Sequence, residues 1–473
     1  MKTSLTPSRA ALLWLAAFMA CSTDPDSRSS VDSPALEFWL TNPDRSALFQ
    51  IQSASQSISA PGTLPVIEVD ETQEFQSMEG FGCALTGGSA MLINSMNGAG
   101  QDALLRELFG TEGNSIGMSY LRVSIGSSDL DDRVFSYDDV AAGQVDTALV
   151  HFSIDPDRAN LIPVLKKILA INPSMKLLGS PWSAPTWMKS NNNSVGGSLK
   201  PQYYGVYAQY FVKYVQAMKT EGIRIDAITI QNEPLYGGNN PSMVMQANEQ
   251  AAFIKTYLGP AFAAANIDTK IIIYDHNADR TDYPITILND TAARRFVDGS
   301  AFHLYGGSIS DLSRVHDAHP DKHIYFTEQW VGAPGNFAAD VSWHVKTLVI
   351  GGSWNWCRNV LEWNLASDPN QDPHTPGGCS QCLGAITISG STVTRNPAYY
   401  IIAHAAKFVR PGSVRIGSAS PAALPAVAFR TPGGKRVLIV LNDGQATQAF
   451  KINCAGTTFT SLLNGGAVGT YVW

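Results

Sequence analysis

The chain has 473 residues, 44% of them hydrophobic and 15% charged, with a net charge of -7. That length suits one large domain beside a smaller one, with ample material for a core. The acidic balance excludes the usual nucleic-acid binder, which presents a basic face.

Lys2 and Arg9 give the first twenty residues a positive end, and 10–20 is an apolar run too short to span a bilayer. Cys21 follows the small residue Ala20, and a polar stretch fills 22–33. The arrangement resembles a bacterial lipoprotein signal, with Cys21 lipidated. Phe18 and Met19 depart from that pattern, so ordinary cleavage and secretion is the alternative. The expected parts are a leader over 1–21, a tether over 22–33, and membrane contact only through the N-terminal lipid. An outer-membrane, cell-surface or periplasmic address follows.

Short alternating runs over 36–52 and 64–69 predict antiparallel strands. From residue 77 the pattern changes to strand then helix, eight times over. The strands are expected at 78–84, 118–125, 175–179, 225–232, 270–276, 300–305, 323–328 and 359–364. Helical spacing follows each of them, at 101–109, 155–171, 202–219, 243–258, 291–297, 312–318, 337–349 and 399–409. Eight such units predict an α/β fold, a closed (β/α)8 TIM barrel over 77–410. An open doubly wound sheet lacks support, because no G-x-G-x-x-G turn opens any helix. Past Pro411-Gly412 only short strands remain, at 413–416, 426–429, 437–441, 449–452 and 469–473. The 411–473 segment is expected to join the 34–76 strands in one β-sandwich, acting as a flange on the barrel.

Two barrel strands end on a carboxylate. Thr229-Ile230-Gln231-Asn232-Glu233-Pro234 closes strand four, where proline stops the ladder and biases Glu233 toward an extended backbone. Strand seven, His323-Ile324-Tyr325-Phe326-Thr327-Glu328, does the same. Parallel barrel strands deliver their C-terminal ends to one mouth. Two glutamates there suit a retaining glycoside hydrolase, one as acid/base and one as nucleophile. Closeness would let the anionic nucleophile raise its neighbour's pKa and keep it a proton donor. Arg122, Asp129, Trp182, Asn232, His303, Tyr305, Trp330 and Trp363 also fall at or just past strand ends. Singly, Trp182 and Trp363 read as core plugs, Arg122 as partner of a buried acid and His303 as a satisfied core histidine. Their shared location favours a sugar-binding site, with Asn232 toward the 2-hydroxyl and Tyr305 or His303 orienting Glu328.

Cys379-Ser-Gln-Cys382 predicts a local disulfide, since a structural zinc would need a second pair at similar spacing. Cys83 and Cys357 fall in strands and read as buried apolar residues. Pro320 prevents His316, His319 and His323 from sharing a helical face. No metal and no cofactor is expected.

The segments Gly80-Phe81-Gly82, Ser180-Pro181-Trp182-Ser183-Ala184-Pro185-Thr186-Trp187, Asn232-Glu233-Pro234, Phe302-His303-Leu304-Tyr305, Phe326-Thr327-Glu328 and Glu362-Trp363-Asn364 together resemble glycoside hydrolase family thirty, the glucosylceramidase-like enzymes. The resemblance implies a barrel with an attached β-sandwich and a retaining β-glycosidase. It also implies Glu233 as acid/base, Glu328 as nucleophile, and Asp129, Trp182, Asn232, His303 and Trp363 around the sugar. The loops at 232–243, 274–277 and 302–307 resemble the bacterial and fungal endo-β-1,6-glucanase branch, which implies a β-glucan substrate. A glucosylceramidase or exo-β-glucosidase, a xylanase, and a non-catalytic glycan-binding lipoprotein are the alternatives.

Overall fold

Eight short strands close into a parallel barrel because each buries both faces, one toward the barrel axis and one toward a covering helix. The structure is a computed structural model and describes Met1, residues 36–52 and residues 63–473. The leader, the 22–33 tether and Cys21 lie outside the described residues, Met1 excepted.

Three strands precede the barrel: β1 (Glu37–Thr41), β2 (Gln50–Gln52) and β3 (Val66–Ser77). The barrel comprises β4 (Gly80–Ala84), β5 (Tyr120–Ser124), β6 (Lys176–Ser180) and β7 (Ala227–Thr229). It continues with β8 (Lys270–Asn277), β9 (Val297–His303), β10 (His323–Glu328) and β11 (Cys357–Asn364). Each pairs with the next in sequence, and β11 pairs with β4 to close the ring. Tyr120, Leu178, Ala227, Ile272, Ala301, Tyr325 and Leu361, one from each of seven strands, pack as one buried cluster inside it.

The covering helices follow the apolar periodicity. In Tyr204–Thr220, Tyr207, Tyr210, Phe211, Tyr214, Val215 and Met218 form the buried face. Gly222, at φ +80°, lets the chain reverse after it. Two expectations shift, and one helix was not expected. The helix over 155–171 divides into Asp155–Arg158 and Leu161–Ile171, which puts Pro163 in a first turn, where its missing N–H costs nothing. The helix expected at 291–297 is one turn, Thr291–Arg294, because Val297 already opens β9. Its neighbour Asp282–Asn289, with Pro284 in the first turn, went unread.

After the last barrel helix, Pro397–Ala406, come β12 (Val414–Ala419), β13 (Ala426–Arg430), β14 (Arg436–Leu441), β15 (Gln448–Cys454), β16 (Thr457–Leu463) and β17 (Val468–Val472). They join the first three strands in one nine-stranded sheet, ordered β2-β1-β17-β14-β13-β12-β3-β15-β16. Phe450 of β15 meets Tyr471 of β17 edge-on at 6.1 Å, although their strands are not neighbours in the ladder. The sheet therefore curls over its own core, which is the expected sandwich. Its other face, including Val427, Phe429, Ile439 and Val472, is continuous with the core around the barrel helices.

Candidate active site

Glu233 lies four residues past the end of β7. Its N–H donates to the Asp275 carbonyl (3.0 Å), and its own carbonyl accepts from the Tyr236 N–H (2.9 Å). These two bonds hold it at φ +47°, in the left-handed region rather than the extended one expected before proline. The tight turn thus outweighs the pre-proline preference and points the carboxyl into the barrel mouth. Glu328 ends β10 at a register shift against β9, a local irregularity that re-aims the strand's last side chain.

The two carboxyls approach one atom. His303 Nδ1 is 3.2 Å from Glu233 Oε1 and 3.8 Å from Glu328 Oε1. Those oxygens can be no farther apart than the sum of the two distances. That limit admits the retaining separation of about 5–5.5 Å and excludes most of the inverting range of about 6.5–9.5 Å. The Tyr305 hydroxyl donates to Glu328 Oε1 (3.0 Å), while Arg122 Nη1 donates to Glu328 Oε2 (2.5 Å).

Arg122 and His303 are placed differently from the sugar-contacting role expected of them. Both are fully buried. The Arg122 guanidinium also donates to Asn232 Oδ1 (2.7 Å), Asp275 Oδ2 (2.8 Å) and Ser180 Oγ (3.1 Å). The two nitrogens of His303 face Glu233 and Asp275. With their polar atoms engaged beneath the pocket, both support the glutamates from below. Asn232, also buried, spends its amide oxygen on Arg122.

The cavity above has a volume of about 390 Å³. Asp129, Trp182, Tyr305, Trp330 and Trp363 line it with the two glutamates. Trp182 and Trp363 stack at 5.3 Å and 26°, with Arg122 4.8 Å from the Trp182 ring. Cys379 and Cys382 are bridged and also line the wall. The Cys379 N–H donates to Asp129 Oδ2 (3.3 Å). Sequence reasoning missed Tyr236 and Asn239 on the rim, and Asp275 and His276 beneath. Asp275-His276 does lie in the last three residues of β8, near the strand end as Glu328 is in β10, and that position was the available signal.

Charges follow the geometry. Burial pushes the Glu233 carboxyl up, but His276, at 3.5 Å, and His303 stabilise the anion and hold it at about 2. This reverses the expectation of a raised acid, because two imidazoles face Glu233. Burial alone would lower His303, yet Glu328, Asp275 and Glu233 raise it to about 9. Asp129 is pushed up to about 7 by burial and then by Glu328. Glu233, His276 and His303 offer ligand atoms within 4.8 Å of one another. Each His303 nitrogen faces a carboxylate, Glu233 or Asp275, so a proton can be shared across the cluster.

The family model for the glycosyl hydrolase family 30 TIM-barrel domain matches residues 78–409, and that for the family 30 beta sandwich domain matches 412–471. An endo-1,6-beta-D-glucanase of Aspergillus fumigatus is 35% identical over 426 residues, 84% of this chain and 85% of that protein. One from Neurospora crassa is 36% identical over 421 residues, with 84% and 85% covered. The solved endo-beta1,6-glucanase BT3312 superposes with a TM-score of 0.87 at 33% identity, covering 93% of this chain and 99% of that one.

Proposed function

The chain belongs to glycosyl hydrolase family 30, and from that premise we propose that it is an endo-1,6-β-glucanase working by double displacement, with Glu328 as nucleophile and Glu233 as acid/base. The observation that carries the reading is the convergence of both glutamates on His303 Nδ1 at the mouth of the barrel. The fungal glucanase relatives and the solved endo-beta1,6-glucanase support the linkage.

Glu328 attacks the anomeric carbon while Glu233 delivers a proton to the departing oxygen; water, deprotonated by Glu233, then resolves the glycosyl-enzyme. Arg122 and Tyr305 hold one oxygen of Glu328 each, which fixes its plane for attack. Trp182 and Trp363 offer aromatic faces to the sugar, and Asp129 offers a carboxyl for its hydroxyls. The exposed rings of Tyr236 and Tyr305 flank the opening, where a polymer could pass on both sides of the cleavage point.

The first test is product analysis on β-1,6-glucan, β-1,3-glucan, xylan and glucosylceramide, with Glu328→Gln as blank. Gluco-oligosaccharides from the β-1,6-glucan alone, first formed as the β-anomer by proton NMR, are expected. Glucose from the lipid with the polymer intact, or an inverted first product, would overturn the reading.

Export is part of the same proposal, with the leader removed before Cys21 and that cysteine lipidated. The Cys379–Cys382 bridge fits an oxidising compartment. Among the described residues no helix is long and apolar enough to cross a membrane. Intact mass of the mature protein decides between a diacylated Cys21 and an unmodified N-terminus.

A further inference from the structure

Beneath the two glutamates lies a third carboxylate that the reaction as described does not use. Asp275 is fully buried, at φ +67°, directly after Tyr274 at φ +74°. Two consecutive non-glycine residues in the left-handed region are strained, and strain of this kind persists where surrounding contacts impose it. The register of β8 against β9 shifts between Tyr274 and His276, and that shift carries Asp275 inward. Its Oδ2 accepts from Arg122 Nη2 (2.8 Å), Thr229 Oγ1 (2.7 Å) and Ser180 Oγ (3.2 Å). Its Oδ1 accepts from Thr327 Oγ1 (2.6 Å) and faces His303 Nε2 at 3.2 Å.

Asp275 thus touches the partners of both glutamates: Arg122, which holds Glu328, and His303, which holds Glu233. Arg122 and His303, together with Thr327, keep it ionised despite burial. A nitrogen that faces an ionised carboxylate carries its hydrogen, so Nε2 is fixed as N–H. Only Nδ1 remains variable. It either donates to ionised Glu233 or accepts from protonated Glu233, and one proton serves both states. The other groups facing this imidazole are Glu328 at 3.8 Å and the rings of His276 and Tyr305, centred 6.4 and 6.1 Å away. Arg122 lies beyond Asp275.

We propose that Asp275 is a positioning residue that holds His303 as the proton store of Glu233, so that the acid/base of this enzyme is the Glu233–His303 pair. The inference rests on Glu233 being the acid/base. In the resting state the proton resides on Nδ1. As the glycosidic C–O bond breaks, it passes from Nδ1 to the Glu233 carboxyl and on to the departing oxygen. The imidazole is left neutral, its Nε2–H still on Asp275. In the second half, water forms a bond to the anomeric carbon and the bond to Glu328 breaks. The proton lost by that water goes to Glu233 and returns to Nδ1.

Asp275→Asn keeps the shape, removes the charge and frees the tautomer. Two measurements test it. The first is a ¹⁵N titration of the His303 imidazole in the full chain, which needs no substrate. Wild type is expected to titrate near 9, and Asp275→Asn about one pH unit or more lower. Thr327→Val, which keeps the charge and removes the competing donor from Oδ1, is expected not to lower that titration. The second compares kcat/KM on β-1,6-glucan and on a dinitrophenyl glycoside of a β-1,6-linked disaccharide, whose leaving group departs without a proton. The variant is expected to lose about 100-fold on the polymer and only a few-fold on the activated glycoside. An unchanged His303 titration, or equal losses on both substrates, would overturn the proposal. A wild type that cleaves no β-1,6 linkage would instead overturn the glucanase reading, and the imidazole titration would still decide the pair.

Discussion

Arg122 has no solvent to fall back on, and its charge is set against two buried carboxylates, Asp275 and Glu328. Removing such a cation leaves both anions buried without compensation. Arg122→Met is expected to cost about 3–5 kcal/mol of stability, read by denaturant unfolding, and about 10²–10³ in kcat. Arg122→Lys keeps the charge but cannot span Glu328, Asn232 and Asp275 together, so a partial rescue of stability with little rescue of kcat is expected. At this scale the sequence was legible as to which side chains gather at the mouth, since strand ends and alternation decide that. It was silent on depth. Whether a strand-end Arg or His meets sugar or lies beneath it depends on the stagger of neighbouring strands, and the low pKa of Glu233 depends on two histidines from β8 and β9.

Between elements, two connections carry separable roles. The segment after β11 returns to the mouth through the Cys379–Cys382 bridge: Cys382–Leu383 pairs with Val331–Gly332, and the Thr375 N–H donates to the Asp129 carbonyl. The bridge closes a very short loop, which restrains the unfolded chain little. Reduction, or Cys379→Ser, is therefore expected to raise KM for long glucan several-fold while the thermal midpoint moves by no more than a few degrees. Steady-state kinetics with and without reductant checks this. His404, on the last barrel helix, faces Thr41 of β1 and Thr470 of β17, both at 2.8 Å. Burial lowers it to about 3. An imidazole that must stay neutral when folded contributes stability above its unfolded pKa, near 6.5. That contribution is lost as pH falls from there toward 3. Its upper bound is about 5 kcal/mol. His404→Gln is expected to flatten the pH dependence of stability between those limits in urea titrations. Eight strand–helix units were legible because each apolar run stops at a turn. Strand β16 was not, since its alternation is carried by Thr and Ser at a half-exposed sheet edge. The helix Asp282–Asn289 hid behind a proline that in fact occupies its first turn.

Over the whole molecule, the apolar side chains on one face of the sheet belong to the same buried cluster as the barrel helices. Barrel and sheet should therefore unfold in one calorimetric transition, and a chain ending at residue 410 should fail to give a folded barrel. Separate transitions would show that the sheet is dispensable. The order of the sheet has a consequence for biogenesis. β1 lies between β2 and β17, so one of the first strands to leave a ribosome finds its second neighbour only when Val468–Val472 has been made. Until then the amino-terminal strands have an open edge and no lid over their apolar side. Vectorial synthesis thus leaves that edge of β1 unpaired until the last strand of the sheet has been made.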